Sequence, residues 1–482
     1  MPECDLIIHN AMLLDGLGGP AVTGGVAVRG DRIAAIGKLE GWRGGEAIDA
    51  KGQCLAPGFI DVHTHHDQAV LEDPGVPFVV SQGVTSVIVG NCGISLAPLD
   101  GPASLPEPLA LLGQSDVYRY PTFAAYFDAL EQARPAVNVG VLAGHGVMRT
   151  RVMDDVARPA TAPEIAQMCA LLDEALAAGV LGLSTGLAYP VATHAPTAEV
   201  VSIARRLAAY PGARYVTHMR DERDGVAQSV AETLEIGRDA GVPVVISHHK
   251  CIGCANFGRS GETLAMIDAA LREQDVALDQ YPYDASSTVL LPQKVKDADR
   301  ILIAQSSPHP EAQGRYLDDI AAEMGCDPEE AARRLMPGVA IYFQMSEDDI
   351  ARIMTHPRVM IGSDGIPGPN AHPRLWGAFP RVLRRYVREK GVLSLPEAVR
   401  RMTSLPAQVF GLARRGRLQG GFYADLVLFD PETIADRADY VSPALPSEGV
   451  AEVFVNGRPV LSGDPGRRAG AGRILRRSQS SA

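Results

Sequence analysis

The stretch Gly58-Phe-Ile-Asp-Val-His-Thr-His65 contains the pattern that decides the fold. A short, mostly apolar run leads directly into two histidines that are two positions apart. Side chains at positions i and i+2 of a strand point to the same side, so both imidazoles can reach one metal ion. The stretch therefore predicts a buried strand whose end carries metal ligands.

Seven more short runs rich in β-forming residues follow, and amphipathic helical stretches such as 162–178 and 225–240 separate several of them. Together with 58–62, these runs are 85–89, 138–142, 180–183, 215–217, 244–247, 276–279 and 359–362. Near-continuous apolar strands that alternate with helices indicate a parallel sheet. Eight such units predict an α/β fold, a closed (β/α)₈ barrel of the TIM type.

The two ends of the chain have a different pattern. Short strand-like runs separated by glycine-rich turns occur before residue 55 and again after residue 412. We expect residues 1–55 and 412–482 to form one small β-sandwich domain, and residues 56–411 to form the barrel. The long polar segment 285–343 falls between the seventh and eighth strands, which predicts an insertion that acts as a lid.

Composition narrows the class of protein. Of the 482 residues, 46% are hydrophobic and 21% are charged, as in an average soluble protein. A net charge of -12 argues against a nucleic-acid or anionic-membrane partner, and no run approaches the roughly 18 apolar residues of a membrane span. Seven cysteines are too few for a disulfide framework, and the N-terminus does not look like a secretory signal. We expect a cytoplasmic protein; the sequence predicts no oligomeric state.

Most of the predicted strands end in a polar side chain that can bind a metal. Beyond His63 and His65, these residues are Cys92, His145, His218, His248 and Asp364. Because the carboxyl ends of barrel strands meet at one mouth, we expect them to be neighbours. A single histidine in such a place is as often structural as functional, but a metal site explains the whole set better. We expect His66 to point away from the pair beside it.

Seven short motifs along the chain carry a resemblance to a known family. They are Pro57-Gly-Phe-Ile-Asp-Val-His-Thr-His65, Val89-Gly-Asn-Cys-Gly93, Ser184-Thr-Gly-Leu-Ala-Tyr189, Ser247-His-His-Lys250, Tyr281-Pro-Tyr283, Gly362-Ser-Asp-Gly365 and His372-Pro-Arg-Leu-Trp-Gly377. Over nearly its whole length the chain resembles the amidohydrolase superfamily, and within it the N-acyl-D-amino-acid deacylases (D-aminoacylases), most closely those acting on N-acyl-D-glutamate. The resemblance implies one tight Zn²⁺ and a weaker second position, held respectively by Cys92, His218 and His248 and by His63, His65 and Asp364.

One absence supports the resemblance to this family independently of the seven motifs. Hydantoinase-like and urease-like relatives bridge two metals with a carboxylated lysine on a middle strand, but no lysine lies between Lys51 and Lys250. The thiolate of Cys92 is the available bridging ligand, and a soft donor beside imidazoles suits zinc. The missing lysine disfavours a cyclic-amide hydrolase, and the complete ligand set disfavours an inactive scaffold of the same fold.

This ligand set predicts amide hydrolysis. Zinc lowers the pKa of a bound water from about 16 toward about 7 and polarises a carbonyl group. Because an amine anion leaves poorly, a carboxylate must accept the water proton and return it to the leaving nitrogen. We expect Asp364 to be this general base and acid; the alternative is that Asp364 is only a ligand.

The resemblance also implies which residues bind the substrate. Arg374 would grip the α-carboxylate of an N-acyl-D-amino acid, since a planar guanidinium suits bidentate binding; the alternative is a surface ion pair. Lys250, Tyr283 and Ser287 match positions that line the same pocket. His145 contacts the acyl group or polarises its carbonyl, or it only supports its loop.

Lys294 is a further cation in the insertion. Family members that act on acidic side chains look similar here, and two carboxylates on one ligand need two cations. We therefore expect an N-acyl-D-glutamate deacylase; the alternatives are a solvated basic face with Lys296 and Arg300, and a broad D-aminoacylase for apolar substrates. Cys251 and Cys254 lack a second pair, so we interpret them as neither a zinc nor a redox site.

Overall fold

Eight parallel strands form the barrel of this computed structural model, which describes residues 2–102, 104–368, 371–461 and 470–477. The third strand continues, after one residue, into the short strand Ala143–Gly144, which pairs with the fourth. All neighbouring pairs are parallel, which confirms the predicted fold class. In chain order, the first to eighth barrel strands are Phe59–Asp61, Val84–Val89, Asn138–Val141, Gly182–Gly186, Arg214–His218, Val244–Ile246, Val276–Gln280 and Val359–Ile361.

The barrel closes between its first and eighth strands. A parallel bridge joins Thr64 to Gly365, and the Asp364 N–H donates to the His63 carbonyl oxygen at 2.8 Å. One apolar side chain from each strand or its flank fills the interior, and these are Ile60, Ile88, Leu142, Leu181, Val216, Val245, Ala277 and Met360. They pack the barrel below its mouth, so the polar residues that follow them along the strands surround the mouth itself.

Strands from both ends of the chain form one eight-stranded sheet, called here the terminal sheet. The sheet branches at Glu3–Leu13, which pairs with three other strands, and it curls until Arg32 bridges Tyr423. The predicted β domain therefore consists of one branched and curled sheet around its own apolar core. Its strands are Glu3–Leu13, Val22–Arg29, Arg32–Gly37, Arg43–Asp49, Cys54–Pro57, Leu426–Phe429, Val450–Val455 and Arg458–Pro459.

The C-terminal segment also contributes to the barrel. Ile474–Leu475 pairs in parallel with the third barrel strand, and the Arg477 N–H donates to the Gly179 carbonyl oxygen at 2.9 Å. This short strand lies where the third and fourth strands do not pair with each other. A part of the segment 412–482, which the sequence assigned to the β domain, thus belongs to the barrel sheet.

The insertion between the seventh and eighth strands has a sheet of its own. Ala285–Val289, Arg300–Ser306 and Gly338–Phe343 pair antiparallel, and the helices Leu317–Met324 and Pro328–Leu335 pack against them around an apolar core. The sequence indicated a polar, partly helical segment and missed these strands. Each is a mixed run of five to seven residues without strict alternation, which is a weak strand signal.

The remaining helices flank the barrel or shape its loops. The helix Ala162–Ala178 coincides with the predicted amphipathic stretch; it begins at a capping box formed by Thr161 and Glu164, and its C-cap is Gly179, whose φ is 108°. Among the described residues, no helix is long and apolar enough to cross a membrane. The other helices are Ala69–Glu72, Pro77–Val80, Phe123–Ala133, His145–Val152, Thr197–Ala204, Val226–Ala240, Ser260–Ala270, Glu347–Thr355, Arg374–Arg381, the π-helix Val382–Glu389, Leu395–Met402 and Ser404–Val409, with 3₁₀ turns at Leu109–Leu112, Ser115–Val117, Arg205–Ala209, Cys254–Asn256, Pro292–Asp297 and Pro310–Ala312.

Candidate metal centre

Six side chains that can bind a metal come together at the mouth of the barrel, and all are buried. They form two overlapping groups, and in each group the ligand atoms lie within 4.8 Å of one another. One group is His63, His65, Cys92 and Asp364, and the other is Cys92, His218 and His248. Because Cys92 belongs to both groups, its sulfur lies where a ligand shared by two ions would lie.

Backbone geometry directs these side chains into the mouth. His218 is the last residue of the fifth strand, two positions after the barrel-filling Val216, so both point inward. Cys92, His248 and Asp364 lie just beyond their strands with positive φ angles of 54°, 35° and 50°. This conformation is unfavourable for a residue with a side chain. Three such residues in one place indicate strain that is retained for function.

The Cys92 thiol lies among imidazole nitrogens. Its Sγ is 3.2 Å from His63 Nε2 and 3.5 Å from His248 Nε2, and His248 Nε2 is 3.0 Å from His218 Nδ1. Burial alone would raise the pKa of the thiol, but His63 and His248 outweigh burial and hold this pKa well below its usual value. A thiolate beside ring nitrogens is a donor set that suits Zn²⁺, so these residues fit the expected ion.

Asp364 connects the group that contains His63 and His65 to a buried arginine. Its Oδ1 is 3.5 Å from His63 Nε2 and 3.3 Å from His65 Nε2, while its Oδ2 is 2.9 Å from Arg374 Nη1. Burial favours the neutral acid, yet Arg374 and His63 hold the pKa of Asp364 well below its usual value. The carboxylate is therefore ionised at neutral pH, as a metal ligand or a proton acceptor must be.

Arg374, the first residue of the helix Arg374–Arg381, has no exposed surface. Its Nη2 donates to the Ser287 carbonyl oxygen at 3.1 Å, and its guanidinium lies 4.5 Å from the centre of the Tyr281 ring. Its Nε has no hydrogen-bond partner among the described residues. The alternative of a surface ion pair is therefore wrong, and one buried donor is free for an anionic ligand.

Lys250 and Lys294 approach the centre from its other side. Lys250 Nζ is 2.6 Å from Glu222 Oε1. Lys294 lies in the 3₁₀ turn Pro292–Asp297 of the insertion, where it lines a cavity of about 50 Å³ together with His218 and Glu222. Burial lowers the pKa of Lys294 to about 8. The insertion thus brings a cation to the edge of the ligand groups.

Tyr283 and Ser287 contact the segment 372–374. The Tyr283 ring is 4.9 Å from that of His372, and its buried hydroxyl has no hydrogen-bond partner among the described residues. Ser287 contacts Arg374 through its backbone carbonyl. The Tyr283 hydroxyl is therefore a polar group that is free to bind a ligand.

His145 is held by contacts outside the ligand groups. Its Nε2 is 3.2 Å from Glu199 Oε1, and Glu199 also pairs with the buried Arg149. These contacts favour the alternative in which His145 supports its loop. His66 packs edge-on against Phe78 at 4.9 Å between ring centres, in line with the expectation that it points away from its neighbours.

Sequence reasoning missed two buried carboxylates behind the histidines. Asp279 Oδ1 is 3.2 Å from His63 Nδ1, and Glu222 Oε1 is 3.1 Å from His248 Nδ1. Carboxylates in such positions orient imidazoles that bind metals. Both had a signal, since Asp279 ends the seventh apolar run and Glu222 follows His218 by four positions.

A (β/α)₈ barrel with histidines, a cysteine and an aspartate gathered at its mouth is the arrangement of a metal-dependent amidohydrolase. A sequence model of the amidohydrolase family matches residues 46–461. The chain belongs to this family, which confirms the resemblance inferred from the seven motifs.

Three proteins of Alcaligenes xylosoxydans xylosoxydans are similar to nearly the whole chain. Its D-aminoacylase is 48% identical over 475 residues, which cover 98% of both chains. Its N-acyl-D-glutamate deacylase is 49% identical over 481 residues, covering 99% of this chain and 98% of the relative. Its N-acyl-D-aspartate deacylase is 49% identical over 472 residues, covering 98% of this chain and 94% of the relative. These nearly equal identities do not separate the three side-chain preferences.

A solved structure has the same fold in detail. The N-acyl-D-glutamate deacylase from Bordetella bronchiseptica, complexed with zinc and a phosphonate inhibitor, superimposes with a TM-score of 0.95 at 48% identity. The superposition covers 98% of this chain and 100% of that chain.

Proposed function

We propose that this protein uses Zn²⁺ to hydrolyse the amide bond of N-acyl-D-amino acids, releasing a carboxylate and the free D-amino acid, and that N-acyl-D-glutamate is its preferred substrate. The observation that carries the proposal is the buried pair of Asp364 and Arg374. It places an ionised carboxylate and a cation 2.9 Å apart at the edge of the ligand groups. The D configuration is supported by the names of the relatives alone.

The proposed ligands form a tight and a weak position. The tight ion would be held by Cys92, His218 and His248, and the weaker one by His63, His65 and Asp364. When bound, zinc supplies a Lewis acid and lowers the pKa of water at the site. The burial of every ligand keeps bulk water away, which strengthens electrostatic interactions in the mouth.

Asp364 is the proposed proton carrier. Its Oδ1 faces His63 and His65, and its ionised state lets this oxygen accept the proton of the attacking water. The same oxygen then returns the proton to the leaving nitrogen, because the amine leaves far more easily in its neutral form. Arg374 holds the other oxygen and thereby orients the carboxylate.

The α-carboxylate of the substrate has three proposed partners. Arg374 offers its unpaired Nε, and Tyr283 offers its unpaired hydroxyl. Lys250 adds a second cation near His248. Because donors to an ionised group form strong hydrogen bonds in a buried site, these groups would fix the position of the amide relative to Asp364.

Lys294 is the proposed partner of an acidic substrate side chain. It lines the cavity beside His218, whereas Lys296 is exposed and Arg300 packs on the Tyr316 ring at 4.2 Å. In a chain of net charge -12, a second carboxylate needs a local cation to offset the general repulsion. As part of the same proposal, the insertion that carries Lys294 acts as a lid.

We also place this activity in the cytoplasm. All seven cysteines are free thiols, which suits a reducing compartment.

The experiment that tests the function is a substrate screen with purified, zinc-loaded protein. Kinetic constants are measured for the N-acetyl derivatives of D- and L-glutamate, D-aspartate and D-methionine. We expect hydrolysis of the D compounds with the highest kcat/KM for D-glutamate. Equal or better turnover of the D-methionine compound would reject the acidic preference, and hydrolysis of L-glutamate alone would reject the D-amino-acid class.

A further inference from the structure

Glu222 contacts three functional groups at once. It lies in the loop after the fifth strand and is buried. Its Oε1 is 3.1 Å from His248 Nδ1 and its Oε2 is 3.5 Å from His218 Nε2. The same Oε1 accepts a hydrogen bond from Lys250 Nζ at 2.6 Å. One carboxylate therefore links two proposed zinc ligands to a proposed substrate-binding cation.

The two ring nitrogens of His248 must differ in protonation if the ring is to bind a metal. Its Nε2 faces the Cys92 sulfur and the His218 ring, so this nitrogen must keep a free lone pair to bind a metal. The ring proton must then lie on Nδ1. Glu222 Oε1 is the anionic acceptor for that proton, which is the usual arrangement behind a metal-binding imidazole.

The Lys250 ammonium disfavours a ring proton on His248 Nδ1. Its Nζ is only 2.7 Å from His248 Nδ1, and an ammonium group can donate hydrogen bonds but cannot accept them. If Lys250 donates to Nδ1, the ring proton of a neutral His248 moves to Nε2, and Nε2 can no longer bind a metal. Glu222 is the described carboxylate that contacts both the Lys250 ammonium and His248 Nδ1. It therefore determines whether the ring proton of His248 lies on Nδ1 or on Nε2.

We propose that Glu222 is a positioning residue that draws the Lys250 ammonium away from His248 Nδ1, and so both prepares His248 for zinc and aims Lys250 at the substrate carboxylate. The part that concerns the substrate rests on the proposed function. The part that concerns zinc does not, because it needs only the ligand geometry.

Asp279 provides a matched control. It is also a buried carboxylate behind a proposed ligand. Its Oδ1 is 3.2 Å from His63 Nδ1 and accepts a hydrogen bond from the backbone N–H of His248 at 2.9 Å. No ammonium or guanidinium group of the described residues pairs with it. Its loss should therefore weaken zinc binding without the effect that depends on Lys250.

The test measures zinc affinity by competition with a chelator for the variants Glu222→Gln, Lys250→Met, Asp279→Asn and the two double variants that contain Lys250→Met. We expect Glu222→Gln to weaken zinc binding about 10- to 100-fold, and the added Lys250→Met to restore most of it. Lys250→Met alone should keep zinc affinity at or above that of the unaltered protein. In Asp279→Asn, the added Lys250→Met should restore nothing.

Unchanged zinc affinity in Glu222→Gln, no recovery in its double variant, or weaker zinc binding by Lys250→Met alone would each overturn the proposal. If Glu222→Gln does not fold, as judged by circular dichroism, the zinc affinity of Lys250→Met alone still tests the proposal.

For the part of the proposal that concerns the substrate, Glu222→Gln should raise KM about tenfold for N-acetyl-D-glutamate, while Asp279→Asn leaves KM unchanged. If the unaltered protein cleaves no N-acyl-D-amino acid, the proposed function fails, and the zinc measurements still test the role of Glu222.

Discussion

The two halves of the metal centre share the Cys92 thiol but differ in what surrounds their other ligands. The first half consists of Cys92, His218 and His248, and the second half consists of Cys92, His63, His65 and Asp364. In the first half, the outer nitrogens of His218 and His248 both face Glu222. The rings are thus oriented by a single buried carboxylate. A ligand whose outer atom is held in this way loses less freedom when it binds a metal.

The second half is less firmly held. His63 is backed by Asp279, but the Nδ1 of His65 has no hydrogen-bond partner among the described residues. Asp364 divides its two oxygens between these histidines and Arg374. This carboxylate therefore interacts with Arg374 as well as with the other proposed metal ligands.

We propose that this difference lets one centre both bind a metal and transfer a proton. Fully oriented ligands around a thiolate favour a tight ion, whereas a carboxylate shared with an arginine can accept and return a proton. We therefore infer that the first half provides the metal and the second half provides the proton carrier. The following predictions test this division, beginning with the largest expected effect.

Replacing the shared ligand should disable both halves. Cys92→Ala should lower kcat/KM by at least about 10³-fold, because even outer contacts of a metal site are each worth 10- to 100-fold. Zinc content after dialysis, measured by mass spectrometry, should fall with it. The control is Cys169→Ser, a free thiol outside the ligand groups, which should keep both. Full zinc content in Cys92→Ala would contradict the ligand assignment.

Asp364→Asn should separate the two halves. The tight ion should remain, because its three proposed ligands are untouched, while kcat should fall about 10²- to 10⁴-fold through loss of proton transfer. Zinc analysis and steady-state kinetics on the same sample measure both effects. Turnover close to that of the unaltered protein would reduce Asp364 to a ligand or an orienting group.

Lys294 should affect substrate choice and leave both halves of the centre intact. In Lys294→Met, the preference for N-acetyl-D-glutamate over N-acetyl-D-methionine should fall about 30-fold, since a close charge pair between protein and ligand contributes about 2 kcal/mol. Lys296→Met, at an exposed position in the same 3₁₀ turn, is the matched control and should keep the preference.

The same preference should depend on pH. Burial lowers the pKa of Lys294 to about 8, with Glu222 and Asp297 acting to raise it and Arg223 and Lys250 acting to lower it. The ammonium is charged below that pH and neutral above it. The ratio of kcat/KM values for the two substrates should therefore fall as pH rises through about 8, and this fall should disappear in Lys294→Met. A ratio that stays constant from pH 7 to 9 in the unaltered protein would argue against Lys294 as the cation.

The smallest effect is expected for Cys251 and Cys254. Cys251 is buried and Cys254 is exposed, and both are free thiols. Burial raises the pKa of Cys251 to about 12, which disfavours the thiolate that metal binding or redox chemistry needs. The double variant with serine at both positions should keep zinc content and kcat/KM within about twofold. A large loss would show that the first half extends into this loop.

Much of the fold could be predicted because its signals are local. Each barrel strand is a short apolar run, and the helix Ala162–Ala178 has a capping box at its start and a glycine at its end. The strands of the insertion and the strand Ile474–Leu475 could not be predicted in this way. Ile474–Leu475 has only two residues, and its conformation depends on a partner more than 300 positions away in sequence.

The candidate site divides along the same line. The residue types at the strand ends, from His63 to Asp364, determine by themselves that a thiolate, imidazoles and a carboxylate meet at one mouth, because closing a parallel barrel brings all its strand ends together. Only the tertiary structure places Glu222 between His248 and Lys250 and buries Arg374 against Asp364. Those contacts depend on loop paths and side-chain directions, which no spacing along a single chain encodes.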